Sequence, residues 1–538
     1  MKNKIYTTSM LLVMLVTTLF ISSCNEYDFL KENPKDNLYA DNLYLTGEGF
    51  QLSINAMLEF VREEREEPVQ SAEFGFGWKI GVDNGWAPRN LSWLRGPSLY
   101  QTDWSPSMQW INGGEGVWGH MYRTINTANM VLSRSENPDI DWGGVSVEEN
   151  EAIKQSVQSH AHFFRAWAYR HLVLTFGDVP ISTEEINGSN WTNDWERAPL
   201  EQVRSLIIED LIEAEKGLAE NSNDVRAVSK AVAQHYLAEM YIWAEEPELA
   251  VQAAQRVLDN PNYALITERY GVKANEPGVP FMDQFYQGNI MPSEGNTEAL
   301  WVLPNNDTKD YIGSSRNSMR RTWVVNYASP GYAEYSPEYG GRGLGSCAIT
   351  AWGFSIYEDQ DHRFSEFAVQ KEYVNQRTGV VTTTQTEEQY MTQANHRWAS
   401  TKKWDWTFTD PALWGDSYSY ADQMYLRLAD TYLLMAEAQL MANGPEAALP
   451  YINAIRERSN ATPATAGEID LDYILDERSR ELVTEEYRRQ TLVRTGTFYE
   501  RTKLYNPLAA ENIEPYHQWY PLPLAEIDIT GMTQNQWQ

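Results

Sequence analysis

Residues 228–258 read VSKAVAQHYLAEMYIWAEEPELAVQAAQRVL and predict two short helices that are broken at Glu246-Pro247. Proline cannot continue the first helix, but it can open the second. Small and apolar side chains recur at helical spacing on one face of each helix. They are Leu237, Ala238 and Tyr241 in the first helix and Ala250, Ala254 and Val257 in the second. We therefore predict a helical hairpin whose seam alanines let the two backbones approach closely.

A second stretch repeats this design, with predicted helices at Tyr420–Met441 and Glu446–Asn460. Ala436 and Ala448 have the same separation as the seam alanines of the first hairpin. The first hairpin fits the tetratricopeptide template of about 34 residues. One such unit cannot bury its own faces, so companion helices are expected. An ordinary hairpin with alanines in its seam is the alternative interpretation.

Helical periodicity also predicts helices at residues 47–64, 115–134, 147–176, 200–218 and 471–491. Two segments lose that period, carry many Gly and Pro residues, and hold 12 of the 20 tryptophans. Short β-like runs occur in the second of them, at 298–303 and 379–384. We predict a mainly α fold with one domain, residues 24–538, made of a tetratricopeptide-like scaffold and loop-rich excursions. The scaffold spans about 40–65, 115–260 and 418–500, and the excursions span about 66–114 and 261–417.

The N-terminus has the features of an export signal. Lys2 and Lys4 precede an apolar run at residues 10–21 that is too short to span a membrane comfortably as a permanent helix. Small residues then precede Cys24, a pattern similar to a bacterial lipobox, in which the cysteine thiol takes a diacylglycerol. We predict a lipoprotein signal peptide at 1–23 and a lipid anchor at Cys24. A plain secretory peptide is the alternative.

Charge and composition limit the ligand. The net charge of −32 argues against nucleic acid, whose phosphates select for clustered Lys and Arg, and it fits a neutral ligand. Aromatic residues make up 12% of the chain, so many rings must be buried or used in recognition. Rings concentrated on loops of a rigid helical scaffold are what a recognition surface requires. The alternative is that these rings pack the large loops onto the helices.

Several segments, taken in order, carry a family resemblance. They are FLKENPKD at 29–36, FRAWAYRHLVLTFGDVPI at 164–181, YLRLADTYLLMAEAQL at 425–440, LPYINAIRERSN at 449–460, ILDERSRELVTEEYRRQTLVRTG at 474–496 and YPLPLAEID at 520–528. Each segment alone is weak, but all of them in order behind a lipobox resemble the SusD/RagB outer-membrane lipoproteins. The resemblance covers nearly the whole chain.

This resemblance implies a function at the cell surface. A SusD-like protein captures an oligosaccharide or polysaccharide and delivers it to a partner SusC-like TonB-dependent transporter for nutrient uptake. The helical repeats would face that transporter, and the loop-rich part would hold the sugar site. Two alternatives from other classes remain. One is a tetratricopeptide scaffold that holds proteins without binding sugar directly, and the other is a surface glycosidase.

A glycan site needs flat rings that stack on the C–H faces of sugars and polar side chains that bind hydroxyl groups. Two stretches in the excursions offer this mixture. The predicted ligand-binding residues are Asp83, Asn84, Trp86, Arg89, Trp93, Trp104 and Trp110 in the first stretch and Trp323, Tyr327, Arg342 and Trp352 in the second. For each tryptophan, burial in the core is the alternative.

The sequence carries no recognised catalytic motif. It contains no GxSxG elbow, no HExxH motif and no phosphate-binding loop. His160 and His162 occur on one predicted helix, but a spacing of two residues places them on different faces. We therefore predict a protein that is not an enzyme and that has no catalytic residues, no metal site and no cofactor.

Overall fold

The computed structural model describes residues 43–66, 73–101, 104–112, 116–221, 228–304, 317–392, 396–404, 415 and 421–535. Helices dominate these residues. In chain order, helices α1 to α17 span Gly47–Glu63, Ser92–Leu99, Val117–Arg134, Val147–Phe176, Leu200–Gly217, Lys230–Trp243, Pro247–Leu258, Pro280–Asp283, Met319–Trp323, Ala351–Ser355, Leu428–Asn443, Pro445–Arg458, Leu471–Leu482, Arg488–Arg494, Phe498–Tyr505, Pro507–Ala510 and Leu524–Thr530.

Within the described residues, the strands are short and form two-stranded sheets. Strands β1 to β8 span Gly85–Trp86, Ala299–Leu303, Ala348–Ile349, Val369–Gln370, Glu372–Val374, Val381–Thr383, Ser400–Thr401 and Gln423–Arg427. The antiparallel pairs are β1 with β3, β2 with β8, β4 with β7 and β5 with β6. The prediction of a mainly α fold is confirmed.

The two predicted hairpins are present as α6–α7 and α11–α12. Pro247 and Pro445 each lie in the first turn of the second helix, where a missing backbone N–H is tolerated. The four seam alanines, Ala238, Ala250, Ala436 and Ala448, are fully buried. Although the hairpins are far apart in sequence, α7 packs against α11. The cluster between them consists of Ile242, Ala250, Leu434 and Ala438.

The other long helices pack beside the two hairpins and form a helical array with them. Helix α3 packs on α4, α4 on α5 and α5 on α6. Helix α4 begins and ends as predicted. The Ser146 side chain accepts a hydrogen bond from the Glu149 backbone N–H at its start, and Gly177 ends it with a φ of 73°. Each helix therefore buries a face that it could not bury alone.

Two predicted helices differ from the structure. Residues 423–427 form strand β8, and the helix begins only at Leu428; Tyr420 lies outside the described residues. A short apolar run fits a buried strand as well as a helix, so periodicity could not separate the two. The predicted helix at 471–491 is two helices, because α13 ends at Leu482 and α14 begins at Arg488.

The break between α13 and α14 is held by tertiary contacts. Thr484 has a φ of 71°, a conformation that is unfavourable for a β-branched residue. Its side-chain oxygen accepts a hydrogen bond from the Trp404 indole N–H at 2.8 Å. No local sequence signal for this break exists, since neither glycine nor proline occurs there.

The loop-rich excursions are tied together by strand pairing. The first excursion contains α2 and β1, and β1 pairs with β3 of the second excursion. The β-like runs predicted at 298–303 and 379–384 are confirmed as β2 and β6. Strand pairing therefore joins the described parts of the two excursions to each other.

Helix α13 carries buried glutamates that form ion pairs with arginines of several other elements. Its residues Glu477 and Glu481 are fully buried. The Glu481 carboxylate pairs with the guanidinium groups of Arg363, Arg427 and Arg458. Burial alone would raise the pKa of Glu477, but the surrounding arginines, Arg363 first, lower it to about 2. These ion pairs join α13 to β8, to α12 and to the second excursion.

Residues Thr46–Gln538 form one compact unit. Met1–Leu45 form a second unit, of which the structure describes only residues 43–45. The predicted signal peptide and Cys24 therefore lie outside the described residues, and the domain bounds 24–538 stay a prediction. Of the helices that the structure describes, none combines the length and the apolar character needed to cross a membrane.

Candidate functional site

Three of the four tryptophans predicted in the first excursion lie in the core. Trp86 is fully buried and donates its indole N–H to the Ile349 carbonyl at 3.1 Å. Trp104 stacks on Tyr520 with ring centroids 4.4 Å apart. Trp110 donates its indole N–H to the backbone carbonyl of residue 74 at 2.7 Å. These three rings are buried, as in the packing alternative, and their role in ligand binding stays a prediction.

The polar partners predicted beside them are also internal. Asp83 is fully buried between the guanidinium groups of Arg488, at 2.7 Å, and Arg501, at 2.9 Å. Burial would raise the pKa of Asp83, but the two arginines overcome that effect and hold it below its usual range. The Asn84 side-chain amide donates to the Ser479 hydroxyl at 3.0 Å. Both groups therefore make contacts inside the protein, and their role in ligand binding stays a prediction.

Trp93 and Arg89 lie nearer the surface. Trp93 is half-buried, and its ring meets Phe76 edge to face at 5.2 Å. Arg89 is also half-buried and donates to the Ser346 hydroxyl at 3.4 Å. Their role in ligand binding stays a prediction.

The residues predicted in the second excursion also include both buried and half-buried side chains. Trp323 is buried and donates its indole N–H to the Glu73 carboxylate at 3.1 Å. Tyr327 is fully buried, and its hydroxyl donates to the Gly341 carbonyl at 2.6 Å. Arg342 is half-buried. The first two residues are packing residues in this structure, and the third stays a prediction.

Trp352 lies on the wall of an open groove with a volume of about 860 Å³. It belongs to the short helix α10, which the Thr350 side chain caps by accepting a hydrogen bond from the Gly353 backbone N–H at 3.1 Å. The Trp352 ring stacks on Tyr505 with centroids 4.3 Å apart and planes 19° apart. The side chains lining the groove include Trp352, Phe354, Tyr357, Phe364, Thr386, Glu387, Glu388, Lys503, Leu504 and Tyr505.

A buried arginine fixes this aromatic pair. The Arg501 guanidinium carbon lies 5.1 Å from the Trp352 ring centroid and 5.0 Å from the Tyr505 ring centroid. Arg501 is itself held by Asp83, and its two terminal nitrogens lie 2.7 Å from Asp472 and 2.6 Å from Asp476. The two rings are therefore positioned before any ligand arrives.

A second aromatic pair lines the same groove. Tyr357 and Phe364 stack with centroids 5.3 Å apart and planes 4° apart. The Tyr357 hydroxyl donates to the Arg480 carbonyl at 3.0 Å, which fixes the ring to α13. Lys371 lies over Phe364, 3.7 Å from its centroid. The groove thus combines flat apolar walls with charged groups.

The exposed rim of the groove is polar. Glu387, Glu388 and Lys503 are all exposed there, while Thr386 is half-buried. Carboxylates and an ammonium group can accept and donate hydrogen bonds to hydroxyl groups of a ligand. Flat rings and hydrogen-bonding side chains in the same groove are the combination required to hold a polyhydroxylated ring.

Of the aromatic residues that line the groove, Trp352 is predicted from the sequence, and Tyr505, Tyr357 and Phe364 are not. Tyr505 lies in a helix near the C-terminus, and Tyr357 and Phe364 lie in a stretch that also contains acidic residues. A signal was available, because the run from Trp352 to Phe364 holds four aromatic residues. The contact with Tyr505 joins distant segments and could not be derived from spacing.

Among the residues that the structure describes, no three His, Cys, Asp or Glu side chains are grouped so that they could hold a metal ion. The buried Cys347 has a pKa well above its usual range because burial disfavours the thiolate. The predictions of no metal, no cofactor and no catalysis stay predictions.

An array of paired helices that carries an aromatic groove on its connecting segments is typical of a binding protein. Two family models match the chain, one described as the SusD family at residues 305–536 and one as starch-binding associating with outer membrane at residues 49–242. Together they span most of both the scaffold and the excursions. The chain belongs to the SusD/RagB family.

Individual relatives agree with this assignment. SusD-like protein P2 of Formosa agariphila is 24% identical over 420 residues, which is 76% of each chain. The starch-binding protein SusD of Bacteroides thetaiotaomicron is 31% identical over 125 residues, 22% of each chain. A laminarin binding SusD-like protein has a similar fold, with a TM-score of 0.69 at 20% identity over 91% of this chain and 99% of that one.

Proposed function

We propose that this protein binds a glycan in the groove at Trp352 and Tyr505. The observation that carries the proposal is the stacked pair of rings on the wall of an open groove, fixed from within by Arg501. One face of Trp352 is covered by Tyr505, so a sugar would contact its other face and edge. The named relatives that bind starch or laminarin support a carbohydrate ligand.

The rim favours a neutral glycan. Two exposed carboxylates, Glu387 and Glu388, lie at the groove beside a single exposed ammonium group, Lys503. A uronic acid or a sulfated sugar would place like charge against the carboxylates in a protein whose net charge is −32. A neutral polysaccharide meets no such repulsion.

We also propose a wider role, which family membership and the N-terminal sequence support. The proposal is that a lipid on Cys24 anchors the protein at the outer surface of the outer membrane. The bound glycan is then delivered to a SusC-like TonB-dependent transporter for uptake. The lipobox-like sequence and the SusD/RagB membership support this proposal.

Affinity electrophoresis of the purified protein in native gels that contain laminarin, starch or other neutral polysaccharides tests the binding. Retardation by one glycan is expected, and Trp352→Ala or Tyr505→Ala should weaken binding about tenfold, since one aromatic contact contributes on the order of 1–2 kcal/mol. Trp191→Ala is the matched control, because that ring is 66% exposed and lies outside the groove.

Three results would contradict the proposal. Retardation that survives Trp352→Ala and Tyr505→Ala would place the ligand elsewhere. Release of reducing ends from the polysaccharide by the purified protein would favour the glycosidase alternative. Full retention of uptake by cells that carry Trp352→Ala, with loss after changes on the helical array, would favour the scaffold alternative.

A further inference from the structure

A second cleft lies between α3, the segment that follows α4, and α17. Its volume is about 300 Å³, and it shares no lining residue with the groove at Trp352. Its walls are mostly apolar and aromatic. The lining side chains include Trp118, Tyr122, Ile125, Ile186, Trp195 and Met532, together with Asn126, Thr530 and Glu526.

Most polar side chains of this cleft are engaged with the protein's own backbone. The Asn126 amide donates to the Ile186 carbonyl at 3.1 Å and accepts from the Ile186 N–H at 2.7 Å. The Tyr122 hydroxyl donates to the Pro180 carbonyl at 2.7 Å, and the Thr530 hydroxyl donates to the carbonyl of residue 526 at 2.6 Å. A sugar would therefore find few partners for its hydroxyl groups here.

Glu526 supplies the cleft's charge. Its carboxylate accepts a hydrogen bond from the Trp118 indole, and burial raises its pKa above the usual range. In the part of the chain that the structure describes, no Lys or Arg forms an ion pair with it. The neighbouring cation Arg197 is committed elsewhere, because its three nitrogens donate to backbone or amide oxygens of residues 178, 533 and 535.

A carboxylate beside aromatic rings is suited to binding a cation. A cation is attracted by the faces of Trp and Tyr rings, and it relieves the cost of a partly buried carboxylate. The apolar stem of a lysine or arginine side chain would contact the same walls. We propose that this cleft binds the lysine or arginine side chain of a partner polypeptide.

Exposed apolar residues on the segments that form the cleft favour a polypeptide over a free small cation. Ile529 lies on the same side of α17 as Glu526 and is 54% exposed. Trp191 lies in the loop that joins Ile186 to Trp195 and is 66% exposed. Exposed apolar side chains beside a charged cleft are characteristic of a protein interface, in which arginine is an enriched anchor.

The test uses two peptides that differ only in charge. Isothermal titration calorimetry measures binding of acetyl-Leu-Arg-Leu-amide to the purified protein, with the citrulline peptide as its neutral counterpart. The arginine peptide should bind about tenfold more tightly, as expected for a cation among aromatic rings and a carboxylate. Glu526→Gln and Trp195→Ala should each remove most of that preference.

Asp528→Asn is the matched control, because Asp528 is an exposed carboxylate of the same helix and does not line the cleft. It should keep the preference. Thermal melting of each variant shows whether it is folded. Equal binding of the two peptides, or a preference that survives Glu526→Gln, would overturn the proposal. Displacement of the arginine peptide by methyl glucoside would instead identify the cleft as a sugar site.

Discussion

At the scale of single residues, the burial of Asp83 has a cost that can be measured. The carboxylate pairs with Arg488 and Arg501 inside the core, so removing its charge leaves two guanidinium groups with less compensation. Asp83→Asn should lower the free energy of unfolding by about 3 kcal/mol in urea titrations. Asp472→Asn, which removes a 69% exposed partner of the same Arg501, should change it by about 1 kcal/mol or less. Equal losses would contradict this assignment.

The buried side chain of His517 should make the stability of the protein depend on pH. Burial, and secondarily the nearby Arg489 guanidinium, lower the pKa of His517 from 6.5 to about 4. Between these values the unfolded chain takes up a proton that the folded protein does not, so the free energy of unfolding falls as the pH is lowered from 6.5 towards 4.

Urea titrations at several pH values measure this slope. Between pH 6.5 and 4, His517→Gln should reduce the slope of the free energy of unfolding against pH by an amount that corresponds to up to one bound proton. The further loss between pH 4.5 and 2, which comes from Glu477 and Glu239 with their pKa lowered to about 2, should remain. An unchanged slope between pH 6.5 and 4 in the variant would count against the assignment to His517.

At the scale of secondary-structure elements, the contact between the two hairpins is closely packed by buried side chains. Ala250 and Ala438 are fully buried against Ile242 and Leu434. Ala250→Leu should force α7 away from α11 and destabilise the protein by about 1–3 kcal/mol. Leu249→Ala changes a neighbouring residue that is 40% exposed, and thermal unfolding should shift little. An Ala250→Leu variant as stable as the unchanged protein would show that the contact between the hairpins has room for a larger side chain.

The helices were predictable where local signals agree with the fold. Helix α4 has a capping serine at its start and a glycine with positive φ at its end, so both bounds follow from the sequence. Strand β8 and the break at Thr484 were not predictable, because their causes are pairing with β2 and a bond to Trp404. Local patterns specify an element only when its partners do not override them.

The candidate site was predictable only in part for a related reason. Composition shows that the excursions are rich in rings, but it does not distinguish Trp86, which is fully buried, from Trp352, which faces a groove. The position of Trp352 depends on Tyr505 and Arg501, which come from the C-terminal part of the chain. Side-chain exposure is thus a property of the folded arrangement and not of the stretch that carries the residue.

At the scale of the whole molecule, the charge of −32 predicts selection among polysaccharides. At low ionic strength a neutral polysaccharide should retard the protein in a native gel, whereas alginate, a polyuronate, should not. Serum albumin, another acidic protein, serves as the mobility control. Retardation by alginate that weakens as salt is added would contradict the prediction, since it would reveal an attractive electrostatic contact.

The buried charges of the C-terminal helices have a consequence for how the chain reaches its folded state. Asp83 and Arg501 are 418 residues apart in sequence. Arg427 and Arg458 likewise pair with Glu481, which follows both of them in the sequence. A nascent chain that has not yet released this segment carries unpaired charges where its interior must form. Folding of this interior should therefore finish only after the segment that carries Glu481 and Arg501 has been synthesised.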